Sequence, residues 1–126
     1  MLCSIVMIEK VKNIIQQYSG QKIAVAVSGG VDSMVLCHLL MEIKVPFTGL
    51  HCNFQLRNEA DTDEQFVVNF FEKYKIPVQT QKFNTNQLQR SGKTIQMTAR
   101  RLRYDWFNSW IKANNGFVLT AHHLDD

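Results

Sequence analysis

Six consecutive residues, Ser28-Gly29-Gly30-Val31-Asp32-Ser33, place two hydroxyls, two glycines and a carboxylate at a spacing suited to holding phosphate. Adjacent glycines allow backbone angles and a close approach that a Cβ forbids, so several amide N–H groups can converge on one point. The hydroxyls of Ser28 and Ser33 can add bonds to phosphate oxygens, whereas Asp32 repels a bare phosphate. A bridging cation resolves that conflict. Asp32 is therefore read as a Mg²⁺ ligand, directly or through water, because Mg²⁺ takes only one or two carboxylates alongside substrate phosphates. A plain strand-turn-helix connection would use Asp32 and Ser33 only to favour the first helical turn. Two glycines alone would fit that plainer role; both serines and the aspartate, directly after an apolar run, favour the phosphate reading.

The flanking residues supply the elements that must position this turn. Ile23, Ala24, Val25, Ala26 and Val27 are apolar without interruption, as in a strand covered on both faces of a parallel sheet. A helix over 31–43 follows, and its unpaired N-terminal N–H groups and positive dipole end face the same point as the glycine turn. Downstream, residues 45–51 read as a second strand and 60–74 as a second helix. The acidic start of that helix (Glu59, Asp61, Asp63, Glu64) suits an N-terminus and is read as structural, while Phe66, Val67, Phe70, Phe71 and Tyr74 supply an apolar face. Residues 77–83 form a weaker third strand, placed near an edge because it is polar and opens with proline. A long helix over 94–114 is expected to bury Ile95, Ala99, Leu102, Trp106 and Trp110, and residues 117–120 form a last strand.

Strands alternating with helices imply right-handed crossovers and an α/β fold with a doubly wound parallel sheet, whose ligand lies beyond the carboxyl ends of the strands where strand order reverses. Ahead of the first strand, Ile5, Ile8, Val11, Ile15 and Tyr18 fall at helical spacing with Glu9, Lys10, Lys12 and Gln16 between them, so an amphipathic helix packing on the domain is expected. Ser91-Gly92-Lys93-Thr94 looks like the end of a Walker A loop, but that motif needs a glycine where this chain has Gln87. The segment is read as a loop entering the long helix, with Thr94 as N-cap.

Composition sets the outer bounds. With 126 residues, 45% of them hydrophobic and 20% charged, the chain can build one domain with a real core. The apolar start at residues 1–8 is too short for a membrane span and has no basic lead, so neither a signal peptide nor an anchor is expected. Cys3, Cys37 and Cys52 are odd in number and form no Cys-x-x-Cys pair, which points to reduced thiols in a cytoplasm. The net charge of +3 is small, but residues 79–104 hold Lys82, Arg90, Lys93, Arg100, Arg101 and Arg103 with no acid, a local field that attracts polyanions.

The Ser-Gly-Gly-x-Asp-Ser pattern resembles the pyrophosphate-binding loop of the N-type ATP pyrophosphatases, the PP-loop family. That resemblance implies an adenine nucleotide alpha hydrolase-like fold with strand order 3-2-1-4, in which strands one and four are neighbours and the Ser28 loop faces residues 121–126. It also implies cleavage of ATP between its α and β phosphates to adenylate a substrate oxygen. Three further segments, residues 50–57 (Leu-His-Cys-Asn-Phe-Gln-Leu-Arg), 99–104 (Ala-Arg-Arg-Leu-Arg-Tyr) and 120–126 (Thr-Ala-His-His-Leu-Asp-Asp), are similar in order to motifs of the tRNA(Ile)-lysidine synthases. With the loop they span nearly the whole chain.

For these residues the resemblance implies adenylation of the C2 oxygen of the wobble cytidine of tRNA(Ile), with ATP and Mg²⁺, and then attack by the side-chain amine of free lysine. Ser28, Gly29, Gly30, Val31 and Ser33 would hold the pyrophosphate, with Asp32 holding Mg²⁺. Arg100 and Arg103 share a side of the long helix and can reach phosphate or RNA together, while Arg101 is read as a surface residue. His122 and Asp126 would act on substrate or metal, with His123 the weaker of the two histidines. His51 would line the adenosine side of the pocket, and His38 is read as an ordinary helix residue. Two positions depart from the pattern: where the family often has histidine then glycine, this chain has Phe54 and Gln55. The family also continues past residue 126 into C-terminal tRNA-binding regions, so residues 1–126 are expected to be an N-terminal ATP-binding domain, inactive on tRNA by itself. Two rivals remain: a tRNA cytidine thiolase of the same superfamily, which would use paired cysteines that this chain lacks, and a non-catalytic adenine-nucleotide-binding module.

Overall fold

The computed structural model describes residues 2–56, 58–84 and 94–121, with side chains from Ile8 onward. The elements run α1 (Leu2–Gln17), β1 (Lys22–Ala26), α2 (Val31–Glu42), β2 (Thr48–Asn53), α3 (Ala60–Lys73), β3 (Val78–Lys82), α4 (Ile95–Asn114) and β4 (Gly116–Leu119). All strand pairings are parallel and the order is β3-β2-β1-β4, as the PP-loop resemblance implies.

Strand β1 shows why its run is apolar throughout. Alternate residues point to opposite faces of a strand. Ile23, Val25 and Val27 join a core with Val11 of α1, Leu36 and Leu40 of α2, and Val67 and Phe71 of α3. Ala24 instead joins Leu50, Phe107 and Trp110, so α4 covers the other face. Of the four helices described above, three thus lie on one side of the sheet and one on the other. The first helix packs as expected: Val11 is fully buried, and Ile8, Ile14 and Ile15 pack against the same core. Just past its end, the Tyr18 ring stacks on Phe117 of β4 at 4.4 Å.

Several boundaries and faces differ from expectation, for physical reasons. The second strand starts at Thr48, not at residue 45, because α2 ends in a Schellman-type turn. Lys44 adopts φ 57° and donates its N–H to the Met41 carbonyl, while Val45 donates to Leu40. The strand then runs on to Asn53 because β3 pairs along it from Gly49↔Val78 to Asn53↔Lys82. Helix α3 ends the same way, with Lys75 at φ 57° and Ile76 donating to Phe71. Its buried face is narrower than the five residues expected. Val67 and Phe71 are buried and Phe70 packs partly buried against the same core, whereas Phe66 is 52% and Tyr74 39% exposed. On α4 the buried residues are Thr98, Ala99, Phe107 and Trp110, and Ile95 is exposed. Thr94 is the N-cap, its hydroxyl accepting the Met97 N–H at 3.1 Å. Strand β3 stands at the sheet edge, as its polarity suggests.

Gly49 is required by a close approach. A Cβ there would lie 2.5 Å from Cζ of Phe71, a fully buried ring with no room to retreat. Gly49→Ala is expected to destabilise the protein by about 1–3 kcal/mol through overpacking, measured as a lowered urea midpoint with unchanged m-value.

Candidate active site

The site is built outward from Val27, the residue after β1. Its N–H donates to the Leu50 carbonyl at 2.9 Å, and its carbonyl accepts from Nδ1 of His51 at 2.7 Å. A carbonyl only accepts, so Nδ1 carries the proton and donates it to Val27, which leaves Nε2 as the ring nitrogen not used by this bond. His51 is 4% exposed yet lines the cleft described below.

Beyond Val27 the chain turns through Gly29 at φ +88° into α2. A Cβ on Gly29 would meet nothing closer than Val67 Cγ2 at 3.7 Å, so the dihedral, not the space, requires glycine. The turn is braced from inside. Gly30 N–H donates to Ser28 Oγ at 3.2 Å, Ser28 N–H donates to Ser33 Oγ at 3.3 Å, and the Ser33 hydroxyl donates to the Gly30 carbonyl at 3.1 Å. The two hydroxyl oxygens are 3.4 Å apart. Ser33 is therefore a buried brace whose proton is already committed, while Ser28 and Gly30 lie at the surface. No side chain caps α2, so the first-turn amides have no intrahelical acceptor and point out of the helix end beside Asp32.

These groups border a cleft of about 570 Å³ at the carboxyl ends of β1, β2 and β4. Ser28, Gly30, Val31, Asp32 and Ser33 line one wall; Thr120 and Ala121 line another, so the Ser28 loop and the end of β4 do meet at the point where strand order reverses. His122, His123 and Asp126 lie outside the described residues, as do Arg57, Arg90 and Lys93. Of the two arginines assigned together, Arg103 lines the cleft, whereas Arg100 is not among its lining residues and rests 5.6 Å from the Tyr104 ring centroid. Arg101 pairs with Asp105 on the exposed face of α4. His38 packs edge-on against Phe70 and Tyr74, away from the cleft lining.

The third wall comes from the segment after β2. Asn53, 2% exposed, donates Nδ2 to Asp61 Oδ1 at 2.9 Å and to Glu64 Oε1 at 3.3 Å, and its Oδ1 accepts the Gln55 N–H at 2.9 Å. Lys82 reaches the same two carboxylates at 3.7 and 3.9 Å. Asp61 and Glu64 are thus structural, as expected, but Asp63 belongs to the cleft lining. Cys52 lines it too. Burial pushes its thiol up to about 11, against a smaller opposing pull from the Arg103 guanidinium, so it is a neutral thiol at pH 7. Cys37, in the core, is pushed up to about 12 by burial.

Phe54 and Gln55, the two departures from the family pattern, have visible consequences. Gln55 adopts φ +56°, the left-handed conformation that glycine takes without cost. Gln55→Gly is expected to raise the unfolding free energy by about 1 kcal/mol, read from a urea titration. Phe54, which sequence reasoning set aside, lines the cleft and stacks on Phe83 at 4.9 Å. No spacing rule marks it; the loss of a family histidine was the only signal.

The donor set fits Mg²⁺ only as a companion of phosphate. Among the described residues no group of three histidine, cysteine or acidic side chains stands ready to cage a metal. The exposed carboxylate of Asp32, with Asp63 on the same cleft, matches a cation that takes one or two carboxylates and completes its shell with phosphate and water.

A parallel 3-2-1-4 sheet with an uncapped helix and a Ser-Gly-Gly-x-Asp-Ser turn at the reversal point defines an ATP-utilising PP-loop domain, and residues 4–126 match that domain family. The chain belongs to it. Its relatives include the tRNA(Ile)-lysidine synthases of Bacteroides thetaiotaomicron, 41% identical over 83% of this chain, and Clostridium tetani, 36% identical over 95%. The chain spans 25% and 28% of those two proteins, about a quarter of their length. Among solved structures, NMN synthetase from Francisella tularensis superposes with a TM-score of 0.72 at 18% identity, over 92% of this chain and 51% of its own. The U34-tRNA thiolase NcsA from Methanococcus maripaludis superposes with a TM-score of 0.70 at 19% identity, over 90% and 44%. These two likenesses are of fold. No described helix is long and apolar enough to cross a membrane.

Proposed function

We propose that this chain is the ATP-binding part of a tRNA(Ile)-lysidine synthase, which adenylates the wobble cytidine and then joins it to lysine. The observation that carries the reading is the braced turn with open helix amides facing the end of β4, in a chain 34–41% identical to enzymes of that name. The cytidine C2 oxygen attacks the α-phosphorus of ATP and the bond to the β-phosphate oxygen breaks. The lysine amine then attacks C2, and AMP leaves with the oxygen.

Each residue has a role in these steps. The amides of Gly29 and Val31 and the Ser28 hydroxyl hold the departing pyrophosphate, whose charge grows as the bond breaks, while Gly30, its N–H donating to Ser28 Oγ, shapes the turn around it. Ser33 keeps the turn in shape. Asp32 holds the Mg²⁺ that, when bound, offsets phosphate charge. His51 offers Nε2 to a donor on the adenosine, and Arg103 meets phosphate from the opposite wall, with Arg100 further out toward RNA. His122 and Asp126 act on substrate or metal from the segment after β4.

Pyrophosphate release by the full-length protein tests the reading, with tRNA(Ile) and lysine each present or omitted. Release is expected to require the tRNA and to fall by about a hundredfold or more in Asp32→Ala, a loss typical of removing a charge-stabilising group. ATP binding without release under every combination would replace this reading with a nucleotide-binding module.

A further inference from the structure

Among the described residues, Arg103 is held at the cleft by an aromatic face. Its guanidinium carbon lies 5.4 Å from the centroid of the Phe54 ring. Phe54 is itself backed by Phe83, with ring centroids 4.9 Å apart and planes 18° from parallel. Phe83 is 7% exposed, and its N–H donates to the Asn53 carbonyl at 2.8 Å. The stack is therefore anchored: buried ring, cleft-lining ring, guanidinium. Cys52, Phe54 and Arg103 all border the cleft that also contains the phosphate turn.

The chemistry of the stack matters because of what it leaves undone. A carboxylate partner would fix Arg103 and cancel its charge; an aromatic face fixes the planar cation through the ring quadrupole while its N–H edge stays available for bidentate contact with phosphate. A flexible arginine would lose rotamer entropy on meeting its anion, and a pre-held one loses less. Phe54 follows Asn53, whose bonds to Asp61, Glu64 and Gln55 lock the local backbone, so the ring is placed by a rigid segment.

We propose that Phe54 is a positioning residue that, backed by Phe83, holds Arg103 ready for the phosphates of the nucleotide, so that the contribution of Arg103 to binding depends on an aromatic ring at position 54. This inference rests on the ATP-binding reading above and adds to it a residue where this chain departs from the family pattern.

A double-mutant cycle on the full-length protein, with Mg-ATP binding measured by calorimetry, tests it. Phe54→Leu is expected to weaken binding by about two- to fivefold, the range of a cation–ring contact at an exposed arginine, and Phe54→Tyr to bind like the parent. In the Arg103→Ala background, Phe54→Leu is expected to cause no further loss. Should Phe54→Leu fail to fold, Phe54→Met, which keeps apolar volume and removes the ring, carries the same expectation. Losses that multiply in the double variant, or a leucine variant that binds like the parent, overturn the positioning role alone. A parent protein that does not bind Mg-ATP overturns the ATP-binding reading and this inference with it.

Discussion

Both backbone groups of Val27 are tied to β2, the N–H to the Leu50 carbonyl and the carbonyl to the His51 ring, and the cleft is organised around that clamp. It holds the last extended residue before the glycine turn at a fixed height relative to its neighbour strand, in the middle of a sheet covered on both faces. From there Gly29 redirects the chain, and α2 starts with its open amides toward the cleft. Loosening the clamp would let the turn and the helix end move independently of β2 and β4. The buried histidine is thus a structural link between β2 and the glycine turn that follows β1.

The turn does not wait for a ligand to acquire its shape. Ser28, Gly30 and Ser33 satisfy one another through three bonds between 3.1 and 3.3 Å, and among the described residues no side chain caps the start of α2. Preorganised donors of this kind need no rearrangement when charge develops, which is where electrostatic catalysis gains most. The same economy appears across the cleft, where Asn53 serves two acidic side chains of α3 and the Gln55 amide at once. The acidic start of α3 is thereby divided: Asp61 and Glu64 are bound to Asn53 and Lys82, and Asp63 borders the cavity.

Much of this was legible residue by residue. The apolar run before the turn reported a two-faced strand because a strand exposes alternate residues to opposite layers, and both layers here are helices. The polar third strand reported an edge, and Thr94 reported a helix start, since both signals arise from local hydrogen bonding. The misjudged features come from a local helix-closing turn whose residues are apolar and from distant partners. Residues 45–47 look like strand but serve the turn that closes α2, and the strand extends to Asn53 because β3 pairs with it. Phe66 has the same apolar character as Phe71, yet only one of the two faces the sheet.

The amino-acid sequence by itself determined the alternating parallel architecture, the glycine turn and its neighbours in chain order, because these follow from periodicity, glycine dihedrals and helix ends, which act over a few residues. Tertiary structure alone decided which groups share the cleft. It separated Arg103 from Arg100, drew Asp63 away from its acidic neighbours, and set Phe54 between Phe83 and a guanidinium. Those outcomes depend on how α4 crosses the sheet and where β2 ends, and both are set by packing between segments far apart in the chain.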